Sequence, residues 1–496
     1  MALLITAAAS WIAAHGFILY YGDAQAHLNN ARSILDSRTP GYDQLGTVWL
    51  PLLHVLCLPL VLNDALWSTG LAGTIPVALC FIVAGLFFYL AAKEAFSRSL
   101  PAIIALGCFA LNPNILYLSA IPMTETVFTT GLATLLFALL RFRRTQNRAC
   151  LCLAVFASWW MSLTRYDGWF LIPFAALTFA YFAKRSRWSI LVLFGLAASL
   201  APVYWLAHNW YETGNALDFY NGPYSAGAIQ GAKSYPGYHD WQAAFTYYIQ
   251  ACLLCSGLPL SILGMAGLAC GIWKKTAVPI VFLLLPPLFY VWSVHSSKLP
   301  IYVPDLWPYS YYNTRYGIAL VPAAAFAVGA LAFAWPAKWR NFALALPLLS
   351  LAPWLLHPMP DTSICWKESQ VNSIARRAWT DPAARFFQAN YRRGEGIVAT
   401  FGDPIGIFCR SRIPLAEVLH IGNGPEWLLT TSRPDLSHRE LWAVAQEGDA
   451  LSRSIEGRNK SPYQLIERIE TPGAPALEIY RRFFSLQPLP LKVDTR

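Results

Sequence analysis

The sequence predicts an α-helical polytopic membrane protein of about eleven transmembrane helices, with a small α/β domain outside the membrane at its carboxy terminus. Three observations lead there. Hydrophobic residues make up 56% of the 496 positions and charged residues only 13%, against roughly a quarter charged in an ordinary soluble domain. Apolar stretches of membrane length recur through residues 1–356, and the basic residues between them alternate sides. Residues 357–496 then change character: charges become frequent and no stretch stays apolar for membrane length.

Crossing ~30 Å of hydrocarbon takes roughly 20 apolar residues. Such stretches lie near 2–21, 70–92, 99–117, 121–140, 149–164, 168–183, 188–207, 246–272, 277–295, 316–335 and 340–356. The stretch VWLPLLHVLCLPLVL, 48–62, is apolar but short and broken by prolines, which predicts a re-entrant or interfacial helix. With the amino terminus inside, the inward loops carry Lys93, Arg98, Arg141, Arg143, Arg144, Arg148, Lys184, Arg185, Arg187, Lys274, Lys275, Lys338 and Arg340. The outward loops hold only Arg32, Arg38, Arg165, Lys233, Lys298 and Arg315, so the positive-inside rule is met loop by loop. The acids do the reverse. Up to residue 356 only Glu94 falls inside, so polar chemistry gathers on the outward face, whose long loops are 22–69, 208–245 and 296–315.

Ala24-Gln25-Ala26 has the pattern of a signal-peptidase site, but no Lys or Arg precedes the apolar run, so an uncleaved first span is expected. The net charge of +10 is shared between the inward loop ends and the tail, and no nucleic-acid motif accompanies it. It suits a membrane surface and its lipids, and no nucleic acid. Most of the ten cysteines sit in apolar stretches as small buried hydrophobes. Cys252 and Cys255 have CxxC spacing without a second pair, which argues against zinc. Cys365 and Cys409 in the tail could pair in an oxidising compartment.

Within the tail, GIVATFGDPIGIF holds a strand-like run ending at Gly402-Asp403. HRELWAVAQEGDALSRSI has helical spacing, and YQLIERI and ALEIYRR read as short strands. The expected domains are therefore 1–356, a membrane body, and 357–496, a small α/β domain outside the membrane.

The first polar residue after the first span is Asp23, in YYGDAQAHLNNARSI. As a helix N-cap it would contribute ~1 kcal/mol. Position N3 would then be Ala26, so no capping box supports that reading. In helical register Asp23, His27 and Asn30 line one face, and Ala24, Leu28, Ala31 and Leu35 another. Such a helix lies at the membrane surface with its polar side toward a cavity.

An acid straight after the first span, on an outward juxtamembrane helix, resembles the catalytic loop of the GT-C membrane glycosyltransferases, among them the protein O-mannosyltransferases and the lipid A aminoarabinose transferases. The likeness covers the layout of the whole membrane body and an outward carboxy-terminal domain. It implies a polyprenyl-phosphate sugar donor, a lipid, glycan or protein acceptor, and a first-loop carboxylate, here Asp23, acting as the base. Asp23 is followed by Ala24 where many relatives carry a second acid. The resemblance also implies a place in a bacterial inner (plasma) membrane, with the amino terminus cytoplasmic and the carboxy-terminal domain extracytoplasmic.

The chemistry is consistent with a single base. A phosphate leaves readily, so no second carboxylic acid is needed to protonate it, unlike in glycoside hydrolases. The leaving group needs cations or donors instead. Glu125, in SAIPMTET, enters a membrane helix, where an acid is costly and functional by default; the helix dipole is its bland explanation. By resemblance it supports the base or a metal. Arg165, in TRYDGWF, Lys298, in HSSKLP, and Arg315, in YSYYNTRYG, are the candidate ligands of the donor phosphate. Arg165 and Asp167 could instead pair to close their turn. His27, Asp167 and Tyr316 are read as substrate-binding groups, and His54 as a polar contact. The loop NWYETGNALDFYNGPYSA offers aromatic faces and amides to a sugar or acceptor. Asp23, His27 and Glu125 would also suit Mg²⁺ or Mn²⁺, and no cofactor is assigned. Two other readings stay open: a transporter or flippase, against which the acids cluster at helix ends on one side and no repeat is visible, and a non-catalytic scaffold.

Overall fold

The computed structural model describes residues 1–496 except 232, 359, 401, 434–439, 458–460, 473 and 484–496. The chain is an α-helical polytopic membrane protein with a small carboxy-terminal sheet. It forms two compact units: Met1–Ala31 with Leu45–Ser373, and Arg32–Gln44 with Ile374–Arg496.

The first unit is helical. Among the described residues, five helices are long and apolar enough to cross a membrane, Leu71–Phe96, Thr124–Thr145, Arg187–Thr213, Val278–Ser296 and Thr314–Ala334. Counting each of two bent pairs as one span gives seven, and shorter apolar helices add to the body. Several stretches that hydropathy reads as single spans are broken, each for a local reason. The first helix stops at Ala14, and Gly16 turns the chain at φ +71°. Within 99–117, Asn112 accepts hydrogen bonds from the backbone N–H groups of Asn114 and Ile115, and Pro113 opens a new helix bent by 68°. Within 246–272, Gly257 adopts φ +78°, and the helices on either side diverge by 104°. A Cβ there would lie 2.9 Å from Trp354. The stretch 340–356 is a 3₁₀ turn followed by two five-residue helices, each opened by a proline. Hydropathy reports apolar length, while Pro, Gly and Asn caps decide where the hydrogen-bond ladder stops.

Glu94 is met by Arg141 at 2.7 Å and Arg144 at 3.0 Å. The short helix Leu52–Val61 contains Pro59 and occupies the expected proline-broken segment.

The described residues of the second unit form five strands: β1 (Ile397–Ala399), β2 (Val418–Leu419), β3 (Trp442–Gln446), β4 (Tyr463–Thr471) and β5 (Ala474–Arg482). Their order is β2-β1-β3-β5-β4, with β2, β1 and β3 parallel and β3-β5-β4 antiparallel. Val398, Leu419, Ala443, Leu451, Tyr463 and Tyr480 contribute to its core.

One reading of this region is corrected. HRELWAVAQEGDALSRSI is not one helix: WAVAQ forms β3, and only Ala450–Glu456 is helical. His438, Arg439 and Phe401 lie outside the described residues. WAVAQ is buried on both faces as a central strand, so its apolar run carries no strand alternation to read. Gly448 at φ +76° ends the strand connection, and Asp449 caps the helix through the Ser452 N–H at 2.8 Å. Within the first unit, Cys365 Sγ faces Cys255 Sγ at 4.0 Å.

Candidate active site

The first unit encloses a cavity of about 910 Å³, within the range that holds a small-molecule ligand. Asp23, Glu125, Arg165 and Arg315 line it, together with His27, Asp167, Lys298 and Tyr316. All eight residues singled out from the sequence thus meet in one place.

The chain brings them there from helix ends. Asp23 sits in the first turn of Gly22–Ser33, Glu125 in the first turn of Thr124–Thr145, and Asp167 in the first turn of Asp167–Phe182. Each acid therefore faces the positive end of a helix dipole. Arg165 lies in the tight turn just before the last of these. Arg315 and Tyr316 lie on the 3₁₀ segment Thr314–Ala319, which presses against Trp241–Ser256. A Cβ at Gly317 would meet the Ala251 carbonyl oxygen at 2.2 Å, so only glycine allows that approach.

The two arginines share the acids. Arg315 donates from Nη2 to Asp23 Oδ2 at 2.5 Å and from Nε to Glu125 Oε1 at 3.3 Å. Arg165 donates from Nη1 to the same Glu125 oxygen at 3.3 Å and to Thr124 Oγ1 at 2.7 Å. Its Nη2 donates to the Tyr290 hydroxyl at 2.5 Å, and its Nε lies 3.5 Å from Asp167. Both guanidinium groups also stack on the Tyr316 ring, at 5.1 and 5.0 Å from its centroid.

Burial is uneven. The Arg315, Glu125 and Asp167 side chains are nearly closed off, whereas 41% of the Asp23 side chain is exposed. Asp23 Oδ2 is held by Arg315, and no described residue bonds Oδ1. Lys298 forms no ion pair with a described residue, its ammonium reaching only the Gly231 carbonyl at 3.4 Å. Glu125 Oε2 is buried without a hydrogen-bond partner. The Arg165–Asp167 pairing that closes the turn is present and does not remove either residue from the cavity.

Two residues of this network escaped the sequence reading. Glu368, on Ile364–Asn390, accepts from the Arg315 backbone N–H at 2.9 Å and from its Nη1 at 3.4 Å. Burial raises the Glu368 carboxyl, and Arg315 opposes that shift. A signal existed: Cys365, Glu368, Ser369 and Asn372 share one helical face, an acid on an otherwise uncharged stripe. Tyr290, which donates to Asp167 Oδ2 at 3.2 Å, lies inside an apolar run that offers no such contrast.

The loop 208–245 folds onto the cavity. Phe219 stacks on Tyr166 at 4.7 Å, Asp218 accepts from Thr47 at 2.6 Å, and Tyr220, Asn221 and Ser225 reach the lining. The donor set does not suit a divalent cation. Arg315 bonds Asp23 Oδ2 and Glu125 Oε1, and no group of three His, Cys, Asp or Glu among the described residues could hold a metal. No chemical step is therefore routed through one.

The chain has a GT-C-like fold. It is similar to ArnT from Cupriavidus metallidurans in the apo state, with a TM-score of 0.53 and 13% identity over 95% of this chain and 97% of that one. The Archaeoglobus fulgidus oligosaccharyltransferase in the apo form aligns at a TM-score of 0.48 and 13% identity, over 99% of this chain and 75% of that one. No protein-family description and no curated protein sequence matches the chain.

Proposed function

We propose that this protein is an inverting membrane glycosyltransferase that moves a hexosyl or pentosyl group from a polyprenyl phosphate to a lipid, glycan or protein acceptor at the outer face of a bacterial inner membrane. One observation carries the reading. Asp23 turns an unbonded carboxylate oxygen to the cavity while Arg315 fixes the other, which is the geometry of a positioned general base. The ArnT-like fold supports it.

In this reading Asp23 Oδ1 takes the proton of an acceptor hydroxyl as its oxygen bonds to the anomeric carbon. The anomeric carbon–oxygen bond to phosphate breaks, and its electron pair stays on the phosphate oxygen. The leaving lipid phosphate gains one negative charge, so cations stabilise the transition state more than the ground state. Lys298 is the cation free to meet it, and Arg165 joins once the phosphate competes with Glu125 and Asp167 for its donors. Tyr220 of the aromatic loop offers the sugar an apolar face.

The test uses purified full-length chain with polyprenyl-phosphate hexose and pentose donors and lipid, glycan or peptide acceptors. Mass spectrometry of the products should show glycosyl transfer and released polyprenyl phosphate, with the anomeric configuration inverted. Substrate-dependent uptake into proteoliposomes without product would overturn the reading in favour of transport.

A further inference from the structure

His27 lines the cavity, yet its ring is tied away from it. Its Nδ1 lies 2.9 Å from Nε2 of His54, and both rings are buried, His54 completely. His54 Nδ1 is sealed from solvent and has no hydrogen-bond partner. His27 Nε2 also makes no hydrogen bond with a described residue, but it is not among the sealed atoms and belongs to the cavity wall. Trp49 packs on the His27 ring at 4.5 Å and fixes its plane.

A hydrogen bond between two imidazoles requires one N–H and one lone pair, so the pair has two arrangements. If His27 donated, His54 would need its proton on Nδ1, leaving a buried N–H with no acceptor. If His54 donates from Nε2, its Nδ1 holds only a lone pair against the protein interior. Orphaned buried N–H groups are the rarer of the two defects. The second arrangement forces the His27 proton onto Nε2, which faces the cavity. Asp23 stands one helical turn before His27, and Glu125 lines the same cavity, so negative charge on that side favours an N–H there over a lone pair. Burial keeps the ring neutral by lowering His27 to about 4.

We infer that His54 is a positioning residue that sets the His27 tautomer, so that His27 presents a permanent neutral Nε2–H to a phosphoryl or hydroxyl oxygen of the cavity's ligand. This role for the ligand oxygen rests on the glycosyltransferase reading above; the tautomer itself does not. A neutral donor beside Asp23 can hold an oxygen without competing for the proton that the base must take. The sequence alone reads His54 as a mere polar contact, because nothing in an apolar proline-broken segment shows which nitrogen its ring offers.

The experiment is nitrogen-15 spectroscopy of the imidazole rings in the full-length chain, with His27 assigned by its loss in His27→Gln. At neutral pH the His27 signals should show a protonated Nε2 and an unprotonated Nδ1. His54→Leu should shift His27 to a tautomer mixture, whereas His54→Gln, whose amide N–H falls near Nε2, should restore the parent pattern. A protonated Nδ1 in the parent, or an unchanged pattern in His54→Leu, would overturn the inference. The parent spectrum decides it even where the leucine variant fails to fold. In the transfer assay the leucine variant should raise the donor KM about tenfold, and the glutamine variant should recover most of it. An unchanged KM for polyprenyl-phosphate sugar, with the tautomer as expected, would contradict the ligand-oxygen role. The absence of any transfer by the parent would instead contradict the glycosyltransferase reading and leave the tautomer assignment standing.

Discussion

Two arginines in this molecule each gather three acids, and they do so under opposite conditions. Arg468, on β4 in the second unit, meets Glu447 at 2.7 Å, Glu478 at 2.8 Å and Glu470 at 3.4 Å, with over a third of its side chain in solvent. Arg315, in the first unit, meets Asp23, Glu125 and Glu368 with 9% of its side chain exposed. Water screens Arg468, Glu447 and Glu470, while the buried Glu478 keeps hydrogen bonds from Ser452 and Tyr480 without Arg468. No water can stand in for Arg315. The same residue types therefore make a replaceable surface pairing in one place and an irreplaceable cavity framework in the other.

The comparison is most sharply broken by removing Arg315. Arg315→Ala should leave Glu368 buried with an unpaired charge and Glu125 with Arg165 alone, and destabilise the first unit by about 3–5 kcal/mol. Thermal unfolding of the purified chain in detergent measures it, and Glu368→Ala should cost a similar amount. A loss below 1 kcal/mol would place the two arginine clusters in one class.

A pH titration probes the second unit. Burial, aided by Arg38, lowers His420 to about 4, and its Nδ1 accepts the Gly422 N–H at 3.1 Å. Its folded value lies below the unfolded 6.5, so its stabilising contribution is complete above pH 6.5 and is lost as pH falls through 4. That loss is on the order of 3 kcal/mol. His420→Gln should flatten this part of the stability curve, followed by urea unfolding between pH 4 and 7.

Lys298→Ala should raise the KM for a polyprenyl-phosphate donor about tenfold while leaving stability within about 0.5 kcal/mol, since no described acid depends on it. Arg468→Ala completes the series and should leave the urea unfolding midpoint close to that of the parent.

Much of this was legible in the sequence, for identifiable reasons. Charge placement alone gathered Asp23, Glu125, Arg165, Asp167, Lys298 and Arg315, because an ionisable group at the end of an apolar helix stands out against its neighbours. The breaks in the apolar stretches were not read, since hydropathy averages over the capping Asn112 and the left-handed Gly257. WAVAQ was misread because a strand buried on both faces loses its period of two. Glu368 was missed because its contrast shows only in helical register, on the stripe of Cys365, Ser369 and Asn372, and no helix was read there. Its importance appears only when the fold sets Ile364–Asn390 against the 3₁₀ turn of Arg315.

The central claim is that the exposed oxygen of Asp23 is the base, and Asp23→Asn tests it with little change of shape. The purified variant should keep its fold and its affinity for a polyprenyl-phosphate sugar, while kcat for glycosyl transfer falls by about 10²–10⁴. Transfer at the parent rate would contradict the account.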